Sequence, residues 1–346
     1  MNLLLALLSP IFVYVANQAS GKVTVIDAAT DSIVAVVDFT QLGFSAHPKP
    51  HHIAVEPDGS YWYVSLVGDN AVVKLDRANH VVAKATTETP GLLALDPKSD
   101  LLYSTRSMSA VNAPARIAVI HRATMTPEEV EVLVPRPHAL AVAPDGRYAY
   151  VGSLGANQMA VYDARREQVG IVDVPGGDTS QVMVQFAVSP DGRTLVATAQ
   201  LTGKLLVFDL ADPAKPKLVH TVAVGEWPWL VTFTPDGAEV WVPNQRSNDV
   251  SVVDAKTWTV VATVSGEDFA QPDGIGITGD GRWVFVANHN TSNVMNMGGI
   301  SMAMPMAGAP PAPGRVVVID ARRHAVLRRI DTAPDGAGLG VAGGRP

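Results

Sequence analysis

The chain contains no cysteine, which excludes disulfides, thiolate metal sites, c-type haem attachment and a cysteine nucleophile together. Charge is also scarce: 17% of residues are Asp, Glu, Lys or Arg, the net charge is −7, and no lysine or arginine run occurs. No basic footprint for nucleic acid is present, and the mild acidity favours solubility. Long apolar runs are missing too. The apolar start, residues 1–9 (MNLLLALLS), is far shorter than the roughly 20 residues that cross a bilayer as a helix, and no other segment is a transmembrane candidate. It has the apolar core of a secretory leader without its basic start, so residues 1–9 are read as a signal-sequence remnant and 343–346 as a tail. A thiol-free chain behind such a leader suits an oxidising compartment, periplasmic or extracellular. There is no phosphate loop, dinucleotide fingerprint or G-x-S-x-G elbow.

What the chain does have is repetition. Residues 50–76, PHHIAVEPDGSYWYVSLVGDNAVVKLD, read as three short strands parted by two turns. Pro57-Asp58-Gly59 makes the first turn, because proline presets φ, aspartate caps through its side chain and glycine accepts positive φ. Gly68-Asp69-Asn70 makes the second. The end of the third strand recurs at Asp27, Asp76, His121, Asp163, Asp209, Asp254 and Asp320. The start of the first recurs at Pro50, Pro90, Pro137, Met183, Pro228 and Pro272, one copy fewer. The missing copy is at the far end, where Pro334-Asp335-Gly336 opens the unit again. The pattern predicts an all-β, seven-bladed β-propeller of four-stranded antiparallel blades over residues 10–342, at about 45 residues per blade. The C-terminal strand would complete the N-terminal blade and seal the ring.

Tyr14-Val15-Ala16-Asn17, Trp241-Val242-Pro243-Asn244 and Phe285-Val286-Ala287-Asn288, each followed by a Val-Ile-Asp-like strand, resemble the YVTN-repeat family of seven-bladed β-propellers. The resemblance covers essentially residues 10–342 and implies the fold. It implies little about function, because that family's relatives include binding proteins, surface-layer proteins and cofactor-bearing propellers of periplasmic reductases and amine dehydrogenases. Lys98-Ser99 in place of Asp-Gly, and His121 in place of the third-strand Asp, depart from the pattern.

In a propeller, equivalent positions ring the channel. Those opening the inner strands are His51, Gly91, His138, Val184, Trp229, Asp273 and Asp335. Asp273, Asp335 and His51 fall on neighbouring blades, with His52 next in sequence and His138 facing them. Histidine and carboxylate converging on a concave spot are what a divalent or transition metal needs, although turn chemistry and water-satisfied histidines produce the same residues. An insertion in blade seven, residues 289–314, begins with His289 and carries Met295, Met297, Met302, Met304 and Met306. Thioethers select Cu(I), so copper is the first expectation for a metal. Methionine-rich loops also make adaptable protein contacts, so a protein partner on this face is the competing one. Arg106, in a second-strand slot held by asparagine elsewhere, and Trp229 are candidates to touch a ligand or cofactor. The chain therefore reads as a binding propeller rather than an enzyme. Its alternatives are a metal- or haem-dependent enzyme working at the same mouth, or a scaffold subunit of a larger assembly.

Overall fold

The computed structural model describes residues 10–108, 113–176, 179–290 and 312–342. Of the blade-seven insertion it describes the backbone of a hairpin, Val294–Met297 paired with Ile300–Ala303. The expected leader at 1–9, the tail at 343–346, Met304, Met306 and the side chains of Met295, Met297 and Met302 lie outside the described residues.

Seven four-stranded antiparallel sheets form the seven blades of the ring. Blade two shows the plan: the inner strand Pro50–Val55 is wholly buried, Tyr61–Leu66 and Ala71–Asp76 follow, and Val81–Thr86 faces solvent. A strand buried on both faces needs a continuous apolar run, and an outer strand does not. Outer strands such as Thr126–Glu131 and Ala325–Thr332 instead carry charged residues, which guards their unpaired edges. The core is spread between blade faces. Tyr14 of blade one stacks on Trp62 of blade two at 4.8 Å, and Trp62 and Trp241 are fully buried.

The third-strand aspartates cap the turns that follow them. Asp27, Asp209 and Asp320 accept hydrogen bonds from the backbone N–H groups of Ala29, Ala211 and Arg322. In blade three, where His121 stands instead, Asp100 of the neighbouring turn caps Ala123.

The ring closes as the pattern predicts: Gly336–Val341 pairs with Phe12–Asn17, Leu339 opposite Val15 and Gly336 opposite Asn17. This register corrects one equivalence. Gly336 stands opposite the second strand's last residue, as Pro50 and Pro272 do in their blades, so Ala337 is the equivalent of His51. Asp335 lies two positions before that slot. It belongs with Lys49, Thr89, Arg136, Val182, Trp227 and Gln271, all of which have positive φ between 44° and 68°.

Candidate functional site

Two rings of residues meet at one end of the channel: the starts of the inner strands, and the residues that follow the second strands. Asn17 and Asn288 tie the second-strand ends to neighbouring loops, through Ala333 O and Ala270 N. The next residue in each case, Gln18 or His289, is thereby held at the mouth, as is Gln245 after Asn244. From the inner strands come His51, His138 and Asp273, with Asp335 arriving from its left-handed position.

His289 is pinned between two carboxylates. Its Nδ1 lies 2.6 Å from Asp335 Oδ1 and its Nε2 2.7 Å from Asp273 Oδ2. Gln245 Nε2 donates to the same Asp273 oxygen at 3.0 Å. Burial alone would pull the His289 pKa down, but the charges of Asp335 and Asp273 outweigh it and raise the pKa to about 10. His289 is therefore a buried imidazolium that links the inner strand of blade seven to the closing strand of blade one, with both nitrogens occupied.

His51, His52 and His138 are the opposite case. Burial, followed by the neighbouring His138, His52 and His289, holds His51 well below 6.5. Burial first, then the charge of a neighbour, takes His52 to about 4. For His138, burial outweighs its bond to Val184 and the pKa again falls to about 4. All three are neutral at pH 7, and their hydrogen bonds set the tautomers. His138 donates Nδ1–H to Val184 O at 2.7 Å, and His51 Nδ1 faces Gln18 Oε1 at 3.4 Å. Both therefore keep a bare Nε2, and that of His51 is buried without a partner. The two rings are 6.4 Å apart, edge to face. His52 instead accepts Leu93 N–H on Nδ1 at 3.2 Å, so its proton sits on Nε2.

The structure thus sorts the residues expected at the mouth. His51 and His138 are ring neighbours, each with an Nε2 free of a hydrogen bond, while Asp273, Asp335 and His289 are spent on one another. Arg106 is buried against the carboxylates of Glu88 and Glu129. Trp229 packs into the main core cluster. Among the described residues, no group of three or more His, Asp or Glu is arranged to hold a metal ion. Sequence reasoning missed Gln18 and Gln245. The signal was there: Asn17-Gln18, Asn244-Gln245 and Asn288-His289 are one repeat position.

A family model described as Lactonase, 7-bladed beta-propeller, matches residues 178–274. The uncharacterized protein YncE of Salmonella typhimurium is 22% identical over 282 residues, covering 78% of this chain and 64% of YncE. Antigen Lp49 of Leptospira interrogans is 23% identical over 258 residues, covering 67% of this chain and 53% of the antigen. The chain thus spans less than two thirds of the length of these relatives. Among solved structures, a functionally unknown protein from Desulfotomaculum acetoxidans superposes with a TM-score of 0.73 at 13% identity, over 96% of this chain and 98% of that one. Kuenenia stuttgartiensis hydrazine synthase gives 0.66 at 19% identity, over 85% and 90%. Dihydro-heme d1 dehydrogenase NirN gives 0.63 at 14%, over 95% and 74%. At these identities the likeness is one of fold: the chain is a seven-bladed β-propeller, similar over residues 178–274 to lactonase-type propellers.

Proposed function

We propose that this chain is a periplasmic or extracellular binding propeller whose channel mouth takes up a transition-metal ion, Cu(I) foremost, on the Nε2 atoms of His51 and His138. One observation carries the reading: the buried, partnerless Nε2 of His51, on a ring whose centroid is 6.4 Å from that of His138. An imidazole whose other nitrogen donates to an oxygen is the usual state of a metal-ligating histidine. Two metal–nitrogen bonds of about 2 Å each, plus the two half-rings, span roughly 6 Å, close to the 6.4 Å between the ring centroids. With both Nε2 atoms turned towards each other, that spacing allows a nearly straight N–metal–N arrangement, which Cu(I) accepts. Structural zinc requires four ligands. The methionines of the insertion, Met295, Met297, Met302, Met304 and Met306, would add soft thioether ligands, which select the same ion. The secreted location rests on the leader-like residues 1–9 and the absence of cysteine. A protein that supplies or receives the ion would meet this face.

The test is elemental analysis of protein purified without added metal, followed by Cu(I) titration against a chromophoric competitor. Wild type should bind one Cu(I). His51→Ala or His138→Ala should weaken binding by 100-fold or more, and His52→Gln should leave it unchanged. Copper that fails to bind, or binds the histidine variants as tightly, would end the metal reading.

The lactonase-model match over residues 178–274, which includes Gln245 and Asp273, favours a second reading: a hydrolase in which the free imidazole of His51 activates water at the mouth. Lactone hydrolysis lost in His51→Ala would support it.

A further inference from the structure

The two free histidines occur in one local motif, Lys49-Pro50-His51 in blade two and Arg136-Pro137-His138 in blade four. The residue before the proline is left-handed in both, with φ of 52° at Lys49 and 51° at Arg136. At the equivalent position the other blades carry Thr89, Val182, Trp227, Gln271 and Asp335. The only two cations of this ring therefore precede the two mouth histidines that keep a bare nitrogen.

Neither cation has an ion pair among the described residues. Arg136 is partly buried, and its Nε is shielded from solvent with no hydrogen-bond acceptor. Among the described residues it has no ion pair. Arg122 and Arg315 share an unpartnered Nε, but every other partly buried arginine among the described residues has an acceptor on another nitrogen or its whole fork: Arg77 has Pro10 O, Arg106 has Glu88 and Glu129, Arg122 has Glu56, Arg147 has Asp163, and Arg315 has Glu267 O and Asp268 O. Burial lowers the Arg136 pKa from its ordinary value, with no carboxylate to oppose it. Its charge is also felt at His138. Lys49 is exposed and its side chain has no partner among the described residues. A guanidinium with a desolvated donor and no acceptor is unfavourable unless something else supplies the oxygen. The carboxylates of the mouth do not, since Asp273 and Asp335 are held by His289.

We infer that the mouth accepts a small ligand carrying an oxyanion, a carboxylate or a phosphate monoester, whose oxygens are held by Arg136 with Lys49 adding charge. The inference rests on the mouth being a ligand site, but not on a metal being there. A planar guanidinium pairs with either oxyanion through two parallel N–H donors. The lysine acts as a point charge, and its effect fades with salt.

The experiment uses the full chain, stripped of metal by chelator and desalted, at low ionic strength. Citrate, inorganic phosphate and glucose 6-phosphate are titrated calorimetrically into wild type and variants. Wild type should bind at least one of the three, with Arg136→Gln weakening it tenfold or more, Arg136→Lys retaining part of the affinity and Lys49→Gln losing several-fold. Binding of citrate alone identifies a carboxylate ligand, binding of the phosphates alone a phosphate ester, and binding of all three selection by charge. Failure of every anion to bind, or equal affinity in Arg136→Gln, overturns the inference. Copper lost in His51→Ala while anion binding persists keeps the two readings separate. Loss of anion binding in Arg136→Gln with copper intact does the same from the other side.

Discussion

The seven residues that lead into the inner strands all adopt positive φ, although none is glycine. Five of them precede a proline, where the preferred backbone is extended, and Thr89 and Val182 are β-branched. A left-handed non-glycine residue costs about 1–2 kcal/mol, so the ring carries strain that is repeated by the architecture. Thr89 carries an additional cost, because its hydroxyl is buried without a partner. Thr89→Gly should relieve both, against an unfolded-state entropy cost of about 0.4–1 kcal/mol. A net gain of roughly 1 kcal/mol is expected as a higher urea midpoint with unchanged slope. A lower midpoint would mean that the threonine methyl packs better than the strain costs.

The closing strand, Gly336–Val341, is constrained in two ways. It passes so close to its neighbour that a Cβ on Gly338 would lie 2.4 Å from His51 O, and a backbone oxygen cannot step aside. Gly338→Ala should cost about 2 kcal/mol or more and displace His51, lowering stability and metal affinity together. The strand is also pinned by the Asp335–His289–Asp273 clamp, faced by Gln245 and near His51. His289 has a folded-state pKa raised to about 10. Its stabilising contribution is thus complete below about 6.5 and is lost as pH rises towards 10. Between those values one proton is taken up on folding, and stability should fall by about 1.4 kcal/mol per pH unit. Denaturant midpoints measured from pH 6.5 to 10 should show that slope in wild type and a flat line in His289→Gln. A slope that survives the substitution would place the proton elsewhere.

A propeller has no central core, because apolar clusters lie between successive blades and each blade depends on two neighbours. Wild type should unfold in one transition that coincides by fluorescence and circular dichroism. Removing residues 334–346 would leave Phe12–Asn17 as a bare sheet edge and delete half of the His289 clamp. The expected result is loss of most of a typical 5–15 kcal/mol of stability, seen as a broad or absent transition. A truncated chain with the wild-type midpoint would show that closure contributes little.

The fold was legible because it is written repeatedly and locally. Turn chemistry at Pro57-Asp58-Gly59, apolar strands of about six residues and a capping aspartate are all set by neighbours in sequence, and seven copies average out the exceptions at Lys98-Ser99 and His121. Even ring closure could be read, since one first strand was missing at one end and spare at the other. The mouth was legible only as a set of residues. Sequence named His51, His52, His138, Asp273, Asp335 and His289 together as metal candidates. Only the tertiary structure could say that His289 consumes both aspartates, that His52 is protonated on Nε2, and that Asp335 sits two positions before the slot of His51. Those distinctions depend on which oxygen or N–H group from a different blade meets each ring nitrogen, and such contacts join residues up to 46 positions apart. Local pattern determines strands and turns, whereas charge, tautomer and free lone pairs are decided by the groups that folding brings alongside.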